Sequence, residues 1–356
     1  MKEIIDNLEF TPRIAVWELT LACNMRCLHC GSTAGKPRED ELTTEEALSV
    51  CKQLVDLGCK EVHFLGGEPL LRKDWYILGD FLTKKGIKLT IITNGYFLND
   101  EVIQKINKIK PYMVAISIDG PEETHDLIRT IKGSFKKTIQ GYQILKKNTN
   151  SYVGAITHIS KYNLNQIEDI YKVLIDNNVD CWQIQIGFSW GRLEKEYQIN
   201  PSDLKRIIPF IVEKRKENKI YITCGDNIGY YTDWELELRP GEIKCWIGCF
   251  AGCIAIGIES NGNIKGCLSM PSTPEFIEGN IRKESLATIW NRKGTFKYNR
   301  EFSKKDLKGF CSECRYGFIC RAGCKTLAYT STGSVGENIF CLHRVLEEEK
   351  KGFCNS

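Results

Sequence analysis

Cys23, Cys27 and Cys30 stand within eight residues, Cys23-Asn24-Met25-Arg26-Cys27-Leu28-His29-Cys30, directly after an apolar, strand-like stretch at 14–20. A cubane iron–sulfur cluster takes a thiolate on each iron. Three closely spaced cysteines hold three irons and leave the fourth open to a ligand that is not protein. A structural cluster or a closed zinc site would show four ligands. The open iron gives the pattern a catalytic rather than an architectural character. Gly66-Gly67-Glu68-Pro69 begins 36 residues after Cys30 and follows a second strand-like stretch at 61–65. Its glycines admit close backbone approach to a ligand, and Glu68 can accept a hydrogen bond from an ammonium group.

These groups need a frame. Short apolar stretches at 14–20, 61–65, 88–93, 113–118, 152–159 and 181–186 alternate with amphipathic helical patterns, the first opening at a cap, Thr43-Thr44-Glu45-Glu46. Such alternation implies parallel pairing with helices packed outside. The fold class is α/β, and six units make a partial, open (β/α)6 TIM-like barrel. Reactive groups in parallel barrels collect at the C-terminal ends of strands. Thr93-Asn94-Gly95 and Ser117-Ile118-Asp119-Gly120 end the third and fourth strands there. Gln183 and Gln185 alternate in the sixth and share a face, positioned to read an adenine edge or substrate. Residues 201–217 read as a further helix and 221–223 as an added strand. From about residue 244 the alternation stops, and ten of the 17 cysteines lie in the final 112 residues. Two domains are expected, 1–235 and a small cysteine-rich domain at 236–356.

Composition narrows the class. The 356 residues are 42% hydrophobic and 26% charged, within the ordinary globular range. No stretch approaches the roughly 20 apolar residues of a membrane span, and the first residues lack a secretory signal. A net charge of +4 gives no argument for nucleic acid. Lys304–Lys308 reads as a solvated face. Clustered cysteines without a signal favour metal ligation in a reducing cytoplasm over disulfides. Cys51, Cys59, Cys181, Cys224 and Cys354 fit no spacing and read as mostly buried thiols.

The C-x3-C-x2-C run and the Gly-Gly-Glu-Pro segment resemble the radical S-adenosylmethionine (radical SAM) enzymes. That resemblance implies that the open iron chelates the methionine moiety of S-adenosylmethionine, whose reductive cleavage yields a 5′-deoxyadenosyl radical. It places Gly66, Gly67 and Glu68 at the methionine amino group, with Asn94 and Asp119 among the cofactor-binding residues. The passage 117–135 is similar to cysteine-rich maturases of this superfamily, and by that resemblance Ser117 and Arg129 contact the methionine carboxylate and ribose. Gln185 joins the cofactor-binding set, and His29 shields the cluster without ligating it.

Cys249 and Cys267, then Cys311-x2-Cys314-x5-Cys320-x3-Cys324 and Cys341, resemble the seven-cysteine SPASM domain. The resemblance implies two auxiliary [4Fe–4S] clusters, hence three per chain. Cys311, Cys314, Cys320 and Cys341 would bind the distal one, and Cys249, Cys267 and Cys324 the nearer. The nearer cluster's fourth ligand is Cys253, Cys245 or none. A hairpin over 255–267 is expected to carry Cys267 back to this loop. A zinc ribbon is the alternative for paired Cys-x2-Cys.

The expected function is a radical SAM/SPASM maturase that abstracts hydrogen from a ribosomally made peptide and closes a thioether, C–C or C–O crosslink. No general acid or base is assigned. Alternatives are a sulfatase-type formylglycine maturase, disfavoured because Leu268 and not a carboxylate follows Cys267, and a haem- or quinone-cofactor maturase. A non-enzymatic electron carrier has no need of an open cluster. Expected partners are a precursor peptide and a low-potential electron donor such as flavodoxin or ferredoxin. Only 22 residues precede Cys23, so leader recognition is expected from a separate protein or the barrel surface.

Overall fold

The computed structural model describes residues 10–225, 227–239 and 245–353. The first residues, read for a secretory signal, and Cys354 lie outside the described residues. Seven parallel strands follow one another in chain order: β1 (Ile14–Thr20), β2 (Glu61–Gly66), β3 (Lys88–Thr93), β4 (Met113–Ser117), β5 (Tyr152–Ile159), β6 (Cys181–Ile186) and β7 (Tyr221–Cys224). β7 is the added strand expected at 221–223. β1 and β7 do not pair, so the barrel stays open.

Helices α1 (Thr44–Asp56), α2 (Trp75–Lys84), α3 (Asp100–Ile109), α4 (Glu122–Arg129), α5 (Ser134–Asn148), α6 (Ile167–Asp176) and α7 (Leu204–Glu217) fill the connections. The expected cap of α1 is a reciprocal box. Thr43 Oγ1 accepts from Glu46 N at 3.3 Å, and Glu46 Oε2 accepts from Thr43 N at 2.8 Å; such caps contribute about 1 kcal/mol. Ala47, Val50, Cys51 and Leu54 form the buried stripe of α1. Cys51 is thus a core residue, as is Cys59. Trp17 of β1 meets Phe64 of β2 edge to face at 5.9 Å inside the same core.

The sheet continues past the barrel. β8 (Ala255–Ile258) lies parallel to β1, and β9 (Asn263–Lys265) and β10 (Gly279–Asn280) add antiparallel strands beyond it. The strand order is β10-β9-β8-β1-β2-β3-β4-β5-β6-β7. One sheet therefore runs across the boundary expected near residue 235. The β8–β9 turn needs Gly262, whose φ is +87°, and a buried Lys265–Glu259 pair at 2.8 Å braces the hairpin. The remainder is short helices: α8 (Glu235–Leu238), α9 (Leu286–Asn291), α10 (Lys297–Arg300), α11 (Gly309–Glu313), α12 (Gly317–Cys320), α13 (Lys325–Thr332) and α14 (Leu342–Phe353). Among the described residues no helix is long and apolar enough to cross a membrane.

Candidate functional site

The cysteine loop leaves the C-terminal end of β1 and is closed at its base by Cys23 N to Gly35 O at 3.0 Å and Gly35 N to Leu21 O at 2.9 Å. Leu28 N donates to Ile128 O on α4 at 2.9 Å. From beyond β6, Arg192 Nε donates to Cys27 O at 2.8 Å and Nη1 to Ala34 O at 3.1 Å. Gly191 sits so close to the loop that a Cβ there would lie 2.3 Å from Cys30 O. Sequence reasoning missed this Gly191-Arg192 clamp. Its available signal was a Gly-Arg pair following a barrel strand.

Each thiol of the loop receives one N–H donor. Met25 N points to Cys23 Sγ at 3.4 Å, Ala34 N to Cys30 Sγ at 3.4 Å, and Arg129 Nη1 to Cys27 Sγ at 3.6 Å. Burial pushes the Cys23 thiol up to about 11, and Glu68, Cys27 and Cys30 beside it act in the same direction. Burial also raises Cys27, against the pull of Arg129. Thiols crowded this way ionise readily only with a cation among them, as in a metal cluster.

Glu68 is fully buried at the end of β2. Its Oε1 accepts from Thr93 Oγ1 at 2.7 Å and its Oε2 from Asn94 N at 2.8 Å. Burial pushes its carboxyl up to about 7, with those donors opposing. The preceding glycines also pack closely against the end of β1 and the residues that follow it. A Cβ on Gly66 would lie 2.3 Å from Thr20 O, and one on Gly67 2.1 Å from Ala22 O. They let β2 press against the entry to the cysteine loop and so place Glu68 beside it. Asn94 also serves the loop, its Nδ2 donating to Asn24 Oδ1 at 2.8 Å.

Asp119, fully buried after β4, is a hub. Its Oδ2 pairs with Arg129 Nη2 at 2.5 Å and His29 Nε2 at 3.3 Å, and its Oδ1 accepts from His158 N at 3.2 Å. Burial alone would raise this carboxyl, but Arg129 and His29 hold it well below the usual carboxylate range. Arg129 is buried, and its Nε has no partner within the protein. That leaves one donor of the fork for a ligand. His29 faces His158 edge-on at 5.3 Å, and burial drops His158 to about 4, so its ring is neutral at neutral pH. Ser117 ends β4 half-buried. Gln183 and Gln185 share a face of β6, joined by Gln185 Nε2 to Gln183 Oε1 at 3.2 Å.

In the C-terminal region Cys311, Cys314, Cys320 and Cys341 line one small, partly open pocket, together with Tyr230, Tyr231 and Tyr316. The second set gathers where α10 and the start of α13 meet the β8–β9 hairpin. Cys249, Cys253 and Cys267 all neighbour the Tyr298 hydroxyl. Lys325, next in chain to Cys324, lies near Cys249, as do Ala251 and Asn299. Cys253 lies near Cys249, and Cys245 lies near Tyr231.

Among the described residues no three thiol, imidazole or carboxylate groups converge on one ion-sized point. A zinc ribbon needs such convergence, with sulfurs about 2.3 Å from one metal. A cubane binds each sulfur to a different iron, so thiols ringing a cavity fit it. The unpartnered buried hydroxyl of Tyr298, aimed among the Cys249 set, fits a sulfur-rich acceptor there too.

Residues 17–174 match the radical SAM superfamily, and residues 249–315 match an iron–sulfur cluster-binding domain, SPASM. The chain is 29% identical over 348 residues to an AdoMet-dependent heme synthase of Methanosarcina barkeri, covering 94% of this chain and 97% of that protein. It is 32% identical over 355 residues to an Fe-coproporphyrin III synthase of the same organism, covering 90% and 85%. It is 25% identical over 319 residues to the mycofactocin maturase MftC of Mycolicibacterium smegmatis, covering 88% and 78%. The fold matches SuiB of Streptococcus suis bound to S-adenosylmethionine with a TM-score of 0.74 at 17% identity, over 95% of this chain and 78% of that one. The chain belongs to the radical SAM superfamily and carries a SPASM domain. It is an enzyme whose cofactors are S-adenosylmethionine, a [4Fe–4S] cluster that binds it, and auxiliary iron–sulfur clusters in the C-terminal domain.

Proposed function

We propose that this enzyme is a cofactor maturase acting on an iron tetrapyrrole with carboxylate side chains, oxidatively removing carboxylate as carbon dioxide. The observation that carries this is the match to two M. barkeri enzymes named for haem and iron-coproporphyrin synthesis, at 29% and 32% identity across barrel and SPASM domain alike. When bound, S-adenosylmethionine and the clusters supply a 5′-deoxyadenosyl radical and an outlet for one electron. Loss of a hydrogen atom from the propionate carbon next to the ring leaves a carbon radical. Departure of carbon dioxide and one electron from that radical gives a vinyl group, which balances atoms and charge.

The chain's own residues set up this step. Cys23, Cys27 and Cys30 would hold the first cluster, and Glu68 would accept from the methionine ammonium. Arg129, anchored by Asp119, would offer its remaining N–H to the methionine carboxylate. Ser117, Asn94 and Gln185 border the same mouth, and Gly191-Arg192 keeps the loop in place. Cys311, Cys314, Cys320 and Cys341 would hold one auxiliary cluster, and Cys249, Cys253, Cys267 and Cys324 the other. A low-potential donor such as flavodoxin or ferredoxin and a reducing cytoplasm belong to this reading.

The test is anaerobic incubation of reconstituted enzyme with S-adenosylmethionine, reductant and iron-coproporphyrin III. Loss of the elements of formic acid per modified side chain is the expected mass change. An unchanged porphyrin in the presence of active 5′-deoxyadenosine formation would reject the reading. Peptide crosslinking is the second reading, supported by the match to the mycofactocin maturase over 88% of the chain. A precursor peptide, with a separate leader-binding protein, would then be the substrate modified in the parallel assay.

A further inference from the structure

The thiols of the C-terminal domain have aromatic and charged neighbours. The Cys311 set faces aromatic rings of Tyr230, Tyr231, Phe310 and Tyr316. Lys325, Ala251 and Asn299 lie around Cys249, and Arg300 and Arg321 lie near Cys253. These groups are held firmly. Asn299 Nδ2 donates to Ala251 O at 2.7 Å, Arg300 Nε to Gly252 O at 2.6 Å, and Arg321 Nη1 to Asn299 O at 3.3 Å.

Tyr298, on α10, is the unexplained member. Its ring stands edge-on to Phe276 at 5.7 Å. Its hydroxyl lies so close over Gly266 that a Cβ there would be 2.1 Å from it, next to Cys267. That hydroxyl is buried and has no hydrogen-bond partner within the protein, a condition that costs roughly 1–3 kcal/mol if nothing accepts from it. Its thiol neighbours are Cys249, Cys267 and Cys253. Phenylalanine would fill the same volume without the polar atom.

We propose that the Tyr298 hydroxyl donates a hydrogen bond to a sulfur of the auxiliary cluster held at Cys249, Cys253 and Cys267, raising the potential of that cluster. The inference rests on the assignment of an iron–sulfur cluster to this cysteine set. Hydrogen bonds to cluster sulfurs and nearby charge set the potential. A donor stabilises the reduced, more negative state. The hydroxyl then eases reduction of the Cys249 cluster, and Tyr298 is a positioning residue for electron transfer.

The experiment is an EPR-monitored redox titration of reconstituted full-length enzyme and of Tyr298→Phe, each also in a Cys311→Ala/Cys314→Ala background that removes the other auxiliary cluster. The Phe variant should keep its iron and visible absorption. Its Cys249 cluster should shift to lower potential by roughly tenfold in the one-electron equilibrium, about 59 mV. The reduced wild-type cluster should show hyperfine coupling to an exchangeable proton that the variant lacks. An unshifted potential with the cluster present overturns the proposal alone. Loss of the cluster in Tyr298→Phe also overturns it, because ligation does not need a hydroxyl. Absence of any Cys249 cluster from the wild type overturns the assignment beneath it.

Discussion

The barrel's cysteine site and the C-terminal cysteine sites hold the same side chain by opposite means. Cys23, Cys27 and Cys30 come from one short loop, yet the shape of that loop is imposed by distant residues: Glu68 and Asn94 behind it, Arg129 below Cys27, and Arg192 reaching across from β6. The C-terminal thiols come from segments scattered between residues 249 and 341, and their sites are closed by short helices and a hairpin. At the barrel site several buried polar groups face the loop, whereas the Cys311 pocket is bordered by rings. The sheet links the two regions while separating them. β8 starts level with Ile14, so Cys253 lies by the opposite end of β1 from Cys23, roughly 20 Å of strand at about 3.3 Å per residue.

The comparison breaks most sharply at the loop itself. Replacing Cys23, Cys27 and Cys30 together by Ala should abolish 5′-deoxyadenosine formation while leaving the iron of the C-terminal sites, measured by product chromatography and iron quantitation. Persisting 5′-deoxyadenosine would place the chemistry elsewhere. Next in size, Arg129→Ala leaves the buried Asp119 charge without its principal partner. Such a loss costs about 3–5 kcal/mol, to be read as a lowered denaturation midpoint. A midpoint equal to wild type would show that the hub around Asp119 is not under electrostatic load.

Glu68→Ala should weaken S-adenosylmethionine binding about ten- to a hundredfold, from the roughly 1.5–3 kcal/mol of a charge-assisted hydrogen bond, with all iron retained. Calorimetry provides the check. The raised carboxyl, about 7 against an ordinary 4.5, adds a pH dependence. Glu68 favours the folded state at low pH, and that contribution is lost as pH rises from 4.5 through about 7. Cofactor affinity should run the other way, rising with pH through about 7 as the carboxylate forms. A pH-independent affinity would remove Glu68 from the ammonium.

Cys311→Ala/Cys314→Ala should cost the distal cluster and substrate modification but leave uncoupled cleavage of S-adenosylmethionine within a few fold of wild type. Circular dichroism establishes that the variant is folded. Full substrate modification would make that cluster dispensable. The smallest effect is expected at Arg282, which forks onto Glu46 between the hairpin region and α1 at 2.7 and 2.8 Å. Arg282→Ala should lower stability by under about 1 kcal/mol, because partly exposed ion pairs are screened by water. A larger loss in urea unfolding would mean that this contact couples the two regions.

Much of this was legible in the residue order. The barrel strands, the Thr43 cap, the β8–β9 hairpin and the grouping of Gln183 with Gln185 follow from periodicity and spacing. The Arg192 clamp, the His29–Asp119–Arg129 hub and the companion His158 were not, because their partners lie far apart in the chain. The packing of Gly66 and Gly67 against Thr20 and Ala22 was not legible either, because sheet pairing sets it.

By itself the sequence determined the chemistry available: thiols spaced for clusters, an acidic group after a glycine pair, and strands alternating with helices. Those properties are local, because side-chain type and backbone periodicity do not depend on distant partners. Only the tertiary structure decided which thiols line one pocket and that the Tyr298 hydroxyl is buried over Gly266 beside Cys267. These outcomes depend on burial. A polar atom becomes costly, and therefore informative, only once the fold has removed water from around it.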